Sequence, residues 1–166
     1  MRVLGFDPGL SITGFACVTG DLIRPAIVDA GVFRLSRGSP APPIGDRLVE
    51  LDEDVRALLD EVKPDLVAIE GMFAHKDHPG TVVKMAHARG VILLAARRAG
   101  VEVCELKPAE VKKAATGSGR ATKEQMQLAV QAQFRLPEPP SPPDIADAIA
   151  IAACHARRIA VDALSR

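Results

Sequence analysis

The sequence predicts an α/β fold: a five-stranded mixed sheet flanked by helices on both faces. Three observations carry that prediction. Strand-like stretches crowd the first 35 residues with no room for a helix between them, so they must pair antiparallel. From Ile44 onward the apolar residues switch to helical spacing. The two later strand-like segments are short, apolar and each reached through a helix, which makes them parallel partners and puts helices on the sheet faces.

The elements follow in order. Arg2 to Phe6 is a short apolar strand ended by Asp7-Pro8-Gly9, and Ile12 to Val18 and Ala26 to Leu35 are β-rich stretches separated by turn residues. From Ile44, Leu48, Leu51, Val55, Leu58 and Val62 form one helical stripe with acids on the other side, and Pro64 ends it. Leu66 to Ile69 is a buried strand ending in Glu70. Pro79 to Ala99 is a long helix whose second half is apolar nearly all round, where Ala86, Ala88 and Gly90 permit close approach. Val101 to Leu106 makes the fifth strand. Two shorter helices, Ala109 to Ala115 and Thr122 to Phe134, are joined by Thr116-Gly117-Ser118-Gly119-Arg120. Pro137 to Pro143 carries five prolines in seven residues and forms a stiff connector to a last helix from about Ser141 to Leu164.

At 166 residues the chain suits one domain over residues 1–166. A content of 48% hydrophobic and 25% charged residues excludes a disordered or fibrous chain. Cys17, Cys104 and Cys154 are far apart and lack Cys-x-x-Cys spacing, which argues against structural zinc or a disulfide framework and suits a reducing compartment. Met1 leads straight into a strand, and the longest apolar runs, Val91 to Ala96 and Ala148 to Cys154, fall well short of the 18 or so residues of a membrane span. No membrane contact and a cytoplasmic location are expected.

Four carboxylates carry the chemical signal. Asp7 and Glu70 each close a strand, so if the two strands are neighbours both project from one edge of the sheet, where α/β folds build sites. Acids also end strands before turns for purely structural reasons. Asp144 and Asp147 lie three apart on one face of the last helix. Ser141-x-x-Asp144 also resembles a capping box with Pro142 at the first helical position. Asp147 sits among Ile145, Ala146, Ala148, Ile149, Ala150 and Ile151, where an isolated carboxylate is costly, so it needs a partner: a divalent cation, or a structural lysine or arginine. Four acids converging on one edge would hold two metal ions roughly 4 Å apart, the arrangement that hydrolyses phosphodiesters.

The net charge is zero, with 21 basic and 21 acidic residues, which taken alone speaks against a nucleic-acid partner. By segment the balance is −5 over residues 1–70, +6 over 71–123 and −1 over 124–166. In the basic segment Lys107, Lys112, Lys113, Arg120 and Lys123 surround Gly117-Ser118-Gly119, a loop whose N–H groups are expected to approach phosphates; a solvated helical face with a flexible turn is the competing account. The loop lacks P-loop spacing. Phe73 lies three residues past Glu70 in the polar loop Phe73-Ala74-His75-Lys76-Asp77-His78, placed either to stack on bases or to cap the core. His75 and His78 suit solvent or phosphate contact better than metal binding.

Gly5-Phe6-Asp7-Pro8-Gly9-Leu10-Ser11-Ile12-Thr13-Gly14, Ile69-Glu70 with Phe73, Ala88-Arg89-Gly90, Val111-Lys112 with Gly117-Ser118-Gly119 and Lys123, and Asp144-Ile145-Ala146-Asp147-Ala148 together resemble the bacterial RuvC family of Holliday-junction resolvases, in the family's order and across nearly the whole chain. The resemblance implies an RNase H-like fold and a homodimer whose interface includes the long helix. It implies Mg²⁺-dependent paired nicking of two like-polarity strands of a four-way DNA junction, with Mn²⁺ as a substitute cation, and RuvA and RuvB as partners. It assigns catalysis and metal binding to Asp7, Glu70, Asp144 and Asp147, base stacking to Phe73, and phosphate contact to Lys112 and Lys123; Lys76, Lys113 and Arg120 extend that DNA-binding set. The family often has Gln and Asn where this chain has Gly71 and Asp77, so a cleavage-sequence preference is not carried over. Two rival classes are weaker. A sugar-kinase or actin-like ATPase shares the Asp-x-Gly opening but needs two domains, and a non-catalytic junction-binding module has no use for four intact acids.

Overall fold

The computed structural model describes residues 1–20, 25–71 and 79–165. Ten elements follow one another: β1 (Arg2–Asp7), β2 (Ile12–Thr19), β3 (Ile27–Arg34), α1 (Ile44–Val62), β4 (Leu66–Glu70), α2 (Pro79–Arg98), β5 (Glu102–Leu106), α3 (Pro108–Thr116), α4 (Lys123–Phe134) and α5 (Pro143–Leu164). The sheet order is β3-β2-β1-β4-β5. β1, β2 and β3 pair antiparallel, while β4 joins β1, and β5 joins β4, in parallel. The expected mixed sheet is therefore present, with the first and fourth strands side by side.

Alternation along the strands divides the core into two layers. Val3, Ala16, Val18, Ala68 and Leu106 face α3, α4 and α5, where Val111, Met126, Val130, Ile149 and Ile151 complete one cluster. Leu4, Phe6, Cys17, Val67 and Ile69 face α1 and α2, which contribute Leu51, Val55, Leu58, Ala88, Ile92 and Ala96. Helices cover both faces, as the patterning implied.

Local chemistry sets the helix ends. α1 stops where Lys63 turns left-handed at φ 44°, ahead of Pro64, and its N–H closes on the Leu59 carbonyl at 3.0 Å. Thr122 and Gln125 form a reciprocal capping box at the start of α4, each side chain accepting from the other's N–H at 3.2 and 2.9 Å. The last helix begins at Pro143, two residues later than about Ser141 as expected. Pro142 is its N-cap, without a side-chain bond, so the anticipated Ser141–Asp144 capping box does not form and Asp144 has no capping duty. In α2 Ala88 is buried, but Ala86 and Gly90 lie on the exposed side, and a Cβ at Gly90 would meet nothing within 4 Å; only part of that small-residue set packs on its own sheet.

Helix α5 packs main chain against main chain on β1 and β2. A Cβ at Gly5 would lie 2.5 Å from the Ala148 carbonyl oxygen and 2.7 Å from the Ala152 nitrogen. One at Gly14, the residue paired with Asp7, would collide with the Asp144 carbonyl oxygen. Absent side chains at these two positions let the helix settle directly on the strands. The turn after Asp7 is held as firmly. Fully buried Thr13 donates from Oγ1 to the Gly9 carbonyl at 2.7 Å, and buried Arg47 donates to the Leu10 carbonyl and to Ser36 Oγ at 3.3 and 2.9 Å. Among the described residues no helix is long and apolar enough to cross a membrane.

Gly5→Ala must push α5 off the sheet. An overpacking penalty of about 1–3 kcal/mol is expected, seen in thermal melts as a fall in Tm of several degrees. An unchanged Tm would show that α5 does not rest on this contact.

Candidate active site

Asp7 and Glu70 are the last residues of β1 and β4. The parallel ladder pairs Phe6 with Ile69, so the next residue on each strand leaves the sheet at the same edge. By alternation both carboxylates point to the face that carries α5, because Gly5 and Ala68 do. Asp144 and Asp147 fall in the first two turns of α5, which the contact at Gly14 holds over the strand position opposite Asp7. The structure thus brings together the four acids singled out in the sequence, from three elements, with more than 60 positions between Asp7 and Glu70 and again between Glu70 and Asp144.

Each of the four is half-buried. Asp7 is pushed up from 3.8 to about 8, first by burial, then by Asp147, Glu70 and Asp144, with Lys123 opposing. Burial and Asp147 raise Glu70, with Lys112 and Lys123 opposing. Burial also raises Asp147, with Asp144 adding to it and Lys123 and Lys112 opposing. The described ion pairs, Arg37–Glu50, Arg56–Asp52, Arg89–Glu105 and Arg158–Glu110, include none of the four acids. The structural lysine or arginine partner considered for Asp147 is therefore not an ion pair, and the cluster keeps an excess of negative charge.

That donor set fits a hard divalent cation: clustered carboxylate oxygens, no sulfur, and a proton affinity at Asp7 that added positive charge relieves. Among the described residues no three His, Cys, Asp or Glu groups close into a ready-made cage. Mutual repulsion of like charges opposes such closure until a cation is present.

The basic residues separate into two groups. Lys112 on α3 and Lys123 at the start of α4 act directly on the carboxylates, whereas Lys113 and Arg120 are exposed and are not among the charges that move them. The loop between the helices is not the open phosphate cradle expected. The N–H groups of Gly117, Ser118, Arg120 and Ala121 donate to Lys113 O, Thr116 Oγ1, Ser118 Oγ and Ser118 O at 2.9, 3.1, 3.3 and 3.3 Å. Phe73, His75, Lys76 and His78 lie outside the described residues.

Sequence reasoning passed over Arg47 and Thr13, which pin the turn after Asp7, and Arg89, which donates to the main-chain oxygen of Glu70 at 2.8 Å. Arg89 stands in the sequence as part of the Ala88-Arg89-Gly90 motif and as a charged residue at a helix position that the apolar pattern assigns to the core, with no role attached to it.

Comparison with known proteins points to one family. The family described as "Crossover junction endodeoxyribonuclease RuvC" matches residues 3–155. A protein of that name from Rhodopirellula baltica is 44% identical over 152 residues, covering 92% of this chain and 84% of the relative. Another, from Salinispora arenicola, is 45% identical over 158 residues, covering 95% and 89%. The structure described as T. thermophilus RuvC in complex with Holliday junction substrate superposes with a TM-score of 0.86 at 32% identity, covering 98% of this chain and 96% of that one.

The raised Asp7 carboxyl makes metal-free stability depend on pH. The folded state holds the Asp7 proton where the unfolded chain, near 3.8, has lost it; the stabilisation is full below 3.8 and is lost as pH rises through about 8. Asp7→Asn, neutral throughout, should melt above the unsubstituted protein by a margin that widens from about pH 5 to about pH 9 in chelator. A margin that stays flat across that range would contradict the burial of Asp7 among like charges.

Proposed function

The chain belongs to the RuvC family of crossover junction endodeoxyribonucleases, with its RNase H-like fold, and on that footing we propose that it resolves four-way DNA junctions by metal-dependent hydrolysis of two phosphodiester bonds in strands of like polarity. One observation supports the chemistry most: Asp7, Glu70 and Asp147 share an edge where burial raises all three, reinforced by Asp147 at Asp7 and Glu70 and by Asp144 at Asp7 and Asp147.

Asp7, Glu70, Asp144 and Asp147 are the residues that would hold the cation, Mg²⁺ with Mn²⁺ as a substitute, two ions per site. Bound there, the ions supply a water activated for attack and a stabilised leaving oxygen. The protein's own part is placement. Half-buried carboxylates restrict water at the edge, and the fixed turn after Asp7 holds its main chain still. Lys112 and Lys123, set beside the acids, draw the DNA backbone to the edge, while Lys113 and Arg120 extend that contact outward; Lys76 is a further proposed DNA contact. Phe73 stacks on bases at the crossover.

Paired cutting calls for two active sites, and we assign the dimer contact to α2. Val83 and Leu94 on that helix are 54% and 49% exposed, and Ala86 and Gly90 leave the same helix room for a close neighbour. RuvA and RuvB are the proposed branch-migration partners. Residues 1–166 form a single nuclease domain, and the enzyme works in the cytoplasm.

The unsubstituted protein should nick a synthetic four-way junction symmetrically with Mg²⁺, and Asp7→Asn should bind the junction without cutting it. Undiminished cutting by Asp7→Asn would remove that carboxylate from the mechanism. Lys123→Ala should weaken binding on any junction sequence and flatten the slope of log affinity against log salt by about 1. An unaltered slope would deny Lys123 a phosphate contact.

A further inference from the structure

Arg89 on α2 is 7% exposed, in a helix segment whose neighbours Ala88 and Ile92 are core residues. A buried guanidinium is expensive unless its donors are matched, and an apolar side chain would fill the same space at lower cost. Here its donors join two strands. Nη1 donates to the main-chain oxygen of Glu70 at 2.8 Å, and Nη2 pairs with Glu105 Oε1 at 2.5 Å. Glu105 is the ladder partner of Ile69, and both belong to the sheet face covered by α2. The Glu70 carboxyl, one residue further on, projects from the opposite face. Just past it Gly71 donates to Leu106 O at 2.7 Å, and the strand ends.

The charges that act on the Glu70 carboxyl are Asp147, Lys112 and Lys123, all from the α3, α4 and α5 side. Arg89 approaches from behind and touches only the peptide oxygen. It therefore does not neutralise the carboxylate; it sets where the strand end stands. A lysine in its place has one donor group and cannot span both strands in the planar, forked geometry that arginine offers.

We infer that Arg89 is a positioning residue for Glu70, clamping the end of β4 to β5 from the rear face of the sheet so that the Glu70 carboxyl is held at the distance cation binding requires. This rests on Glu70 being a cation ligand. Because a displacement of about 1 Å at such a site lowers rate by as much as a hundredfold, the clamp matters to chemistry far more than to DNA binding.

Three quantities test it in Arg89→Lys, Glu105→Gln and Glu70→Gln: junction affinity in chelator, cutting rate as a function of Mg²⁺, and the rise in Tm that Mg²⁺ produces without DNA. Arg89→Lys should keep its junction affinity, cut roughly tenfold or more slowly at low Mg²⁺ with recovery as Mg²⁺ is raised, and need more Mg²⁺ for the same rise in Tm. Glu105→Gln, altered at a 60%-exposed side chain that does not threaten folding, should move both Mg²⁺ midpoints the same way by less. Unmoved midpoints in both variants would overturn the inference, as would affinity and cutting falling together in Arg89→Lys while Glu105→Gln keeps the original midpoints. Glu70→Gln separates the two levels. If it cuts normally, the cation-ligand reading of Glu70 fails; if it is inactive while the Arg89 and Glu105 variants behave like the unsubstituted protein, only the clamp fails.

Discussion

Helix α5 lies on β1 and β2 with no space for a side chain at Gly5 or Gly14, and the active edge depends on that approach. Asp7 and Glu70 come from neighbouring strand ends and would meet in any sheet of this order. Asp144 and Asp147 come from the other end of the chain. What brings them to the same edge is main chain against main chain at Gly14, the residue paired with Asp7. The same fit that buries the α5 core residues Ala148, Ile149 and Ala152 drives like charges together. Apolar burial along the helix offsets the repulsion at its tip, so a site unfavourable in itself persists.

The resulting charge pattern resolves the apparent neutrality of the chain. The +6 segment, residues 71–123, supplies α3 and the first residue of α4, and the fold sets their Lys112 and Lys123 beside carboxylates from the −5 and −1 segments. Zero is thus a sum over regions that meet at one edge, with Lys112 and Lys123 beside the acids.

Much of this was legible in the sequence because it depends on local pattern. The alternation and helical stripes placed every element within about two residues, and an acid after a wholly apolar strand, or inside an apolar helix, is conspicuous wherever it occurs. The misses share a cause: each is decided by a partner distant in the chain or by competing hydrogen bonds. Gly5 and Gly14 look like ordinary strand glycines until α5, more than 120 residues later, is laid on them. Arg89 needs Glu70 and Glu105 in place before its burial makes sense. The Ser141 capping box fails because Pro142 and Pro143 move the helix start. The glycine loop looked open, but Thr116 and Ser118 take the N–H groups of Ser118 and Arg120.

If close seating of α5 builds one cation site from both ends of the chain, a bound cation must touch carboxylates from both. The most direct measurement is a crystal structure of the metal-soaked protein with anomalous scattering from Mn²⁺. The expected result is anomalous density bounded by Asp7 and Glu70 on one side and Asp144 and Asp147 on the other. Density held by Asp7 and Glu70 alone, with the α5 carboxylates turned away, or none at this edge in protein that cuts junctions with Mn²⁺, would contradict it.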